Sequence, residues 1–478
     1  MNALHPTLVA GALLAGLATA QSFEIGSLYY MSAGLQLPSQ SVYPGIVRVD
    51  PFTAALTPFV QFSSNAAYQD SLAYDPHRDR LVVFGSIGGF AQLYALDANG
   101  TASVLSSQPL QRLAPRGDGL IYGYKPGSVG NAVQQIYYLD ANNVEHVLLD
   151  VGGAAPWLAF GGVAVGIAPI GAMIYDPGEN ALFLGVAGDN TAPTCTGTPL
   201  NVSVIKVPLT PAGTALRAPA TCDEFDVAGT LTWSEVPIGF SRGPQGSLVL
   251  TVWTNSGGPL PRLLRVDPAS GQLSVFATTG YTGDVGLRCG VFSPTIGRAM
   301  ILDGWNGLWR VYAPGETGGG TVLGSYGQTM ALGGVDVLCA VTPIGPSQTL
   351  SADVGGVSVS AGGVQHLEFT PGPAFAGDLY VIVGSLTGWS PGFEVGGLHV
   401  PLNYDAYTDL TLLLANSPFF VNTAGTLPAS GSIAAQIVLP PGVLLGLDGL
   451  VLHHAAIAAS SAQNFTHASN AVPLVLLP

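Results

Sequence analysis

Charge is scarce in this chain. Only 9% of its 478 residues are Asp, Glu, Lys or Arg, and no more than 14 are Lys or Arg. The formal net charge is −15, with no basic run anywhere. Such a surface repels phosphate backbones, which argues against nucleic acid as a partner. Long apolar runs are missing too. Past the first twenty residues no segment holds 18 consecutive apolar residues, so no membrane-spanning helix is expected. The eight histidines form no HExxH motif, which removes the usual signature of a zinc protease. What the chain has instead is 48% hydrophobic residues, 64 Gly and 36 Pro. Abundant core-forming residues rule out disorder, and frequent turns point to an all-β protein.

The first twenty residues, MNALHPTLVAGALLAGLATA, are apolar and end in the small residues Ala18-Thr19-Ala20. This is the pattern of a signal peptide cleaved before Gln21, although its leading region carries no Lys or Arg. The alternative is a buried N-terminal helix. With residues 1–20 read as a signal peptide, the protein is expected to be secreted, periplasmic or at the cell surface.

Two phrases recur along the chain. LYALDANGTASVL (93–105) returns as IYYLDANNVEHVL (136–148), with Asp97 and Asp140 in the same place 43 residues apart. GIVRVDPFTAALTPF (45–59) and LLRVDPASGQLSVF (263–276) are further copies. A second phrase precedes most copies, as in SLAYDPHRDRLVVFG (71–85), GAMIYDPGENALFLG (171–185) and IGFSRGPQGSLVLT (238–251). Each phrase reads as strand, turn, strand. Four strands in a unit of roughly 40–50 residues is the period of a propeller blade. The aspartates read as turn residues, since Asp accepts amide hydrogens two residues on and Gly or Asn supplies the left-handed position. No EF-hand spacing surrounds them.

Five complete blades are followed by a lone segment, GGVDVLCAVTP (333–343), that supplies the innermost strand missing from the first unit. The expected fold is therefore a six-bladed β-propeller over residues 21–343, closed by strand 333–343. Seven blades stay open if the long 150–170 or 210–236 segments hide strands. A linker (344–356) and an immunoglobulin-like β-sandwich (357–478) follow, the latter read from alternating segments that include DLTLLLAN (409–416). The propeller resembles secreted bacterial propellers of the NHL, kelch and YVTN kind. The tail, on the stretches GPAFAGDLYVIVGSLTGWSPGFEVGGLHVPLNYDAYTDLTLLLANS, LDGLVLHHA and SNAVPLVLLP, is similar to a C-terminal β-domain that recurs on secreted bacterial proteins. That resemblance implies no activity.

Chemistry is harder to find. Gly239-Phe240-Ser241-Arg242-Gly243 and Gly388-Trp389-Ser390-Pro391-Gly392 match the nucleophile-elbow pattern, but neither sits between a strand and a helix. His453 and His454 are neighbours in a strand and should face opposite ways. Loops joining second to third strands, and each blade to the next, share one face of a propeller. That face is expected to collect Tyr124, Trp157, Trp233, Trp253 and Trp305 beside Asp189, Asp226 and Asp303. Rings next to carboxylates suit a glycan or peptide, unless the tryptophans wedge between blades as core. Cys195 and Cys222 fall in the two longest loops of that face and are the expected disulfide, exported chains permitting one. Cys289 and Cys339 either pair across the seam of the ring or remain buried thiols. No cofactor is expected; calcium is the alternative that spacing leaves open. The leading reading is a non-catalytic binding or scaffold protein. The competing one is a calcium-dependent lactonase-type or glycan-active hydrolase at the channel mouth.

Overall fold

The computed structural model describes residues 23, 26–37, 40–62, 72–87, 90–108, 110–125, 135–150, 170–187, 202–214, 223–225, 235–244, 246–254, 262–279, 287–303, 308–325, 337–340, 349–389, 391–460 and 464–478. Among the described residues, its first part forms six mainly antiparallel sheets in chain order. The second sheet holds Leu72–Asp75, Arg80–Ile87, Phe90–Leu96 and Ala102–Ser106. The third runs from Gln111–Pro115 to Glu145–Asp150, and the fourth from Ile170–Asp176 to Asp223–Phe225. The fifth begins with Glu235–Arg242, and the short strand Thr317–Gly318 pairs parallel with its Leu273–Thr279. The sixth runs from Leu287–Ser293 to Thr321–Ser325.

The first sheet is assembled from both ends of this region. Leu28–Leu37, Gln40–Val49 and Leu56–Gln61 are joined by Val337–Ala340, which places Tyr29 opposite Cys339 and Leu28 opposite Ala340. Each innermost strand packs on the next, and Val337–Ala340 lies between Leu287–Ser293 and Leu72–Asp75. The ring is closed. Radial sheets around a closed ring of inner strands make a β-propeller.

Side-chain periodicity explains why the sheets stack. In Ala181–Ala187, Leu182 and Leu184 enter the core shared with the third sheet, while Ala181 and Phe183 enter the core shared with the fifth. Both faces of a sheet are thus buried, so central strands are largely apolar: all but the ends of Arg80–Ile87 are buried, Ser86 being its one polar interior residue. Outer strands such as Ala102–Ser106 are more open, with Ser103 and Val104 exposed. Glycine is needed where inner strands nearly touch: a Cβ on Gly171 would lie 1.9 Å from the Pro237 carbonyl oxygen.

The repeated aspartates do what turns require. Asp97 Oδ1 accepts from Asn99 N (2.9 Å) and Thr101 N (2.8 Å), and Gly100 takes φ +79. Asp140 does the same with Asn142 N and Val144 N, with Asn143 at φ +61.

From residue 349 onward two further sheets share one core. One has the order Leu350–Ala352, Gly363–Phe369, Ile433–Leu439, Phe420–Val421. The other contains Gly356–Ser358, Val472–Leu477, Val451–Ala459, Leu379–Ser385 and Ala424–Thr426. Phe369 and Ile437 from the first meet Ile382, Ala456 and Leu474 from the second. No Lys or Arg occurs after Arg310. Two expectations need correction. Leu350–Ala352 lies within the stretch read as linker yet pairs with Gly363–Phe369. The segment DLTLLLAN is not a strand, because Ala406–Leu413 is an α-helix. Asp405 caps it by accepting from Tyr407 N and Thr408 N, while Thr408 Oγ1 accepts from Asp405 N. A capped start of this kind favours helix over the β alternative.

The tail sheet is buried on its second face as well. Val383, Ala455 and Ile457 belong to the same cluster as Tyr29, Met31, Tyr74 and Val83 of the first two propeller sheets. The contact lies on the face carrying the turns between first and second strands. Ala352 N donates to Thr295 O in such a turn, and Trp389 sits 5.9 Å from Tyr74, centroid to centroid.

Candidate functional site

The six inner strands enclose a cavity of about 120 Å³ near the turn face. Because each inner strand ends there, the cavity is lined by residues from the last part of each. Ala73, Ala114, Met173, Ile174, Phe240 and Ala340 give it apolar walls. Tyr74, Tyr175, Ser241, Cys339 and Arg242 are its polar side chains.

Most of these polar groups are already engaged. Tyr74 donates to Asp79 Oδ1 at 2.7 Å, and Tyr175 donates to Asn180 Oδ1 at 3.1 Å. Ser241 Oγ accepts from Phe292 N at 2.8 Å across to the sixth sheet. Ser241 is also buried within a strand rather than at a strand-to-helix turn, so the G-x-S-x-G pattern around it is not a nucleophile elbow. Burial pushes the Cys339 thiol up to about 12, and a thiol at that value is a poor nucleophile. Burial also raises Tyr74 well above its ordinary value, reinforced by the Asp79 carboxylate. Asp79 is itself raised by burial, despite the hydrogen bonds from Tyr74 and Phe23 N.

Arg242 differs from its neighbours. In the second and fourth sheets the residue four positions before the positive-φ turn residue is a buried aspartate: Asp75 before Asp79, Asp176 before Asn180. In the fifth sheet that place, four before Gly246, holds Arg242. Asp75 is neutralised by Arg80 at 2.9 Å and Arg78 at 3.4 Å. Arg242 instead donates from Nη2 to Tyr175 O at 2.9 Å. Burial lowers its pKa, offset in part by the more distant Asp176 carboxylate. Asp176 is raised by burial and accepts from Glu179 N at 3.1 Å.

The residues that sequence reasoning singled out are dispersed by the structure or fall outside it. Tyr124 is a correction: it is fully buried between the third and fourth sheets, where its ring fills core, and burial raises its hydroxyl. Asp303 ends the second strand of the sixth sheet but is buried and held by Arg310 Nε at 3.3 Å. Trp253 lies in Leu248–Thr254, with its side chain outside the described residues. Trp157, Trp233, Trp305, Asp189 and Asp226 lie outside them, as do Cys195, Cys222 and residues 1–22. Cys289 and Cys339 are not bridged to each other. His453 and His454 do face opposite ways, His454 Nε2 lying 3.0 Å from the Tyr407 hydroxyl. Among the described residues no group of three or more His, Cys, Asp or Glu is placed to hold a metal. Arg242 was overlooked because its phrase reads as a turn. The legible signal was a cation standing where two sister repeats carry aspartate.

No protein-family model matches the chain, and no curated protein matches it. Solved structures give distant likenesses. TolB from Acinetobacter baumannii is 13% identical with a TM-score of 0.39, over 60% of this chain and 61% of that one. A putative 6-phosphogluconolactonase from Bacteroides fragilis is 10% identical with a TM-score of 0.36, over 62% of this chain and 92% of that one. A puromycin hydrolase is 13% identical with a TM-score of 0.35, over 63% of this chain and 46% of that one. The chain thus spans about three fifths of the TolB structure's length. The propeller assignment follows from the order of this chain's own sheets, and no role passes to it from these proteins.

Proposed function

We propose that the protein is an exported, non-catalytic binding scaffold: a six-bladed propeller that receives its ligand at the central channel, with the sandwich tail serving attachment, sorting or spacing. The observation that carries this reading is the lining of the channel. Among the described residues it presents apolar walls, hydroxyls, a thiol and one guanidinium, with no carboxylate or imidazole in the lining. Hydrolysis needs a base or a metal-bound water positioned on the reacting carbonyl. The polar groups at hand are an inert thiol, hydroxyls already spent on fixed partners and a cation, none of which is a base. An apolar pocket with a single orienting charge suits recognition.

The test is a turnover assay of the full mature chain with millimolar Ca²⁺ against γ-lactones and p-nitrophenyl esters. Rates at the buffer background are expected. Turnover above background that is removed by EDTA would overturn the non-catalytic reading and promote the hydrolase.

A further inference from the structure

Among the polar side chains lining the channel, Arg242 has donors to spare. A guanidinium carries five N–H donors, and among the described residues its one hydrogen bond is the 2.9 Å contact to Tyr175 O. No carboxylate among the described residues lies within ion-pair distance of it, whereas Asp75, Asp303 and Glu179 each have a cation at 2.7–3.4 Å. The other hydroxyls of the lining are occupied by Asp79, Asn180 and Phe292 N. The same cavity is lined by Met173, Ile174, Phe240 and the small residues Ala114 and Ala340. Arg242 is half-buried, and a carboxylate meeting a guanidinium forms a charge-assisted, two-point contact stronger than a neutral hydrogen bond. The overall charge of −15 works against polyanions, and the cavity of about 120 Å³ admits only a small group.

We infer that the channel mouth binds a small monocarboxylate with an aliphatic body, its carboxylate on Arg242 and its chain along the inner strands. This rests on the binding reading above and names the ligand class for that channel.

The experiment is calorimetric titration of the full mature chain with hexanoate, hexanol and hexylamine, repeated on Arg242→Met and Arg242→Lys. Hexanoate is expected to saturate and to bind at least tenfold more tightly than hexanol, with hexylamine silent. Arg242→Met should weaken hexanoate at least tenfold and leave hexanol unchanged. Arg242→Lys should retain part of the preference. Unchanged hexanol binding by Arg242→Met, together with an unshifted melting temperature, shows that this variant is folded with its channel intact. Equal affinity for hexanoate and hexanol, or full affinity in a folded Arg242→Met, would overturn the carboxylate assignment while leaving a binding channel in place. No saturable binding of hexanoate would overturn it too, and the turnover assay then judges the wider reading separately.

Discussion

Replacing Phe23 with alanine is expected to undock the tail from the propeller. Phe23 is 1% exposed, with its ring edge-on to Tyr29, Phe59 and Tyr74 at centroid separations of 5.5, 6.0 and 5.7 Å. Its main chain bridges the two parts. The N–H donates to the Asp79 carboxylate (3.2 and 3.3 Å) in a propeller turn, and the carbonyl accepts from Trp389 Nε1 at 2.9 Å. Truncating a buried Phe costs about 3–5 kcal/mol. Here that loss falls on the seam, because the same ring supports Tyr74, against which Trp389 packs. Calorimetry should then show two melting transitions where the native chain shows one. Trp389→Phe keeps an aromatic ring but removes the donor and part of the indole, and should cost less, about 1–3 kcal/mol. A single unchanged transition in Phe23→Ala would mean the sheet contacts through Val383 and Ile457 suffice to hold the parts together.

Asp405→Ala should destabilise the tail by about 3–5 kcal/mol. One carboxylate ties together two stretches of chain, residues 385–387 and the start of the helix. Its Oδ2 accepts from Ser385 Oγ, Leu386 N, Thr387 N and Thr387 Oγ1, and its Oδ1 caps the helix through Tyr407 N and Thr408 N. Stripping partners from several partly buried donors costs about 1–3 kcal/mol for each one left unpaired, less whatever water recovers. Urea unfolding of the tail is the measurement, and a loss under about 1 kcal/mol would contradict this role.

The pH dependence follows by sign. Burial opposes ionisation of Asp405, but the amides of Thr387 and Leu386 and the hydroxyls of Thr387 and Ser385 outweigh it and hold the pKa below the usual value. Its contribution is present above about pH 4 and is lost as pH falls through the folded value. The buried histidines act earlier. Burial lowers His453 and His467 to about 4 and His454 to about 3. They fold neutral, so the unfolded chain takes up protons first and stability declines from about pH 6.5 downward. That decline should persist in Asp405→Ala, whereas the difference between the two proteins should shrink below pH 4.

Repetition made the propeller legible. Asp97 and Asp140 recur because the same turn must be made in each unit, and a three-stranded opening unit asks for a late strand, supplied by Val337–Ala340. The helix at Ala406–Leu413 was hidden because a leucine run fits either a strand or a helix, and what decides is the capping aspartate in front of it. Phe23 could not be weighed from sequence, since its partners lie as far as 366 residues away. Candidate site residues fared worst. Tyr124 looked like a surface ring but lies in the core between the third and fourth sheets. Arg242 looked like part of a turn, and only the ring brings it to Tyr175, 67 residues distant. A propeller channel is composed from separate repeats, so spacing within one repeat carries little of it.

The most direct test of the account is thermal melting of the mature protein with and without EDTA during a calcium titration. A native-state ligand raises the melting temperature by mass action. A channel that recognises its ligand through apolar walls and Arg242 predicts no saturable shift up to millimolar Ca²⁺, and a shift with hexanoate instead. A shift that saturates with Ca²⁺ and is reversed by EDTA would reveal a carboxylate site and contradict the non-catalytic reading.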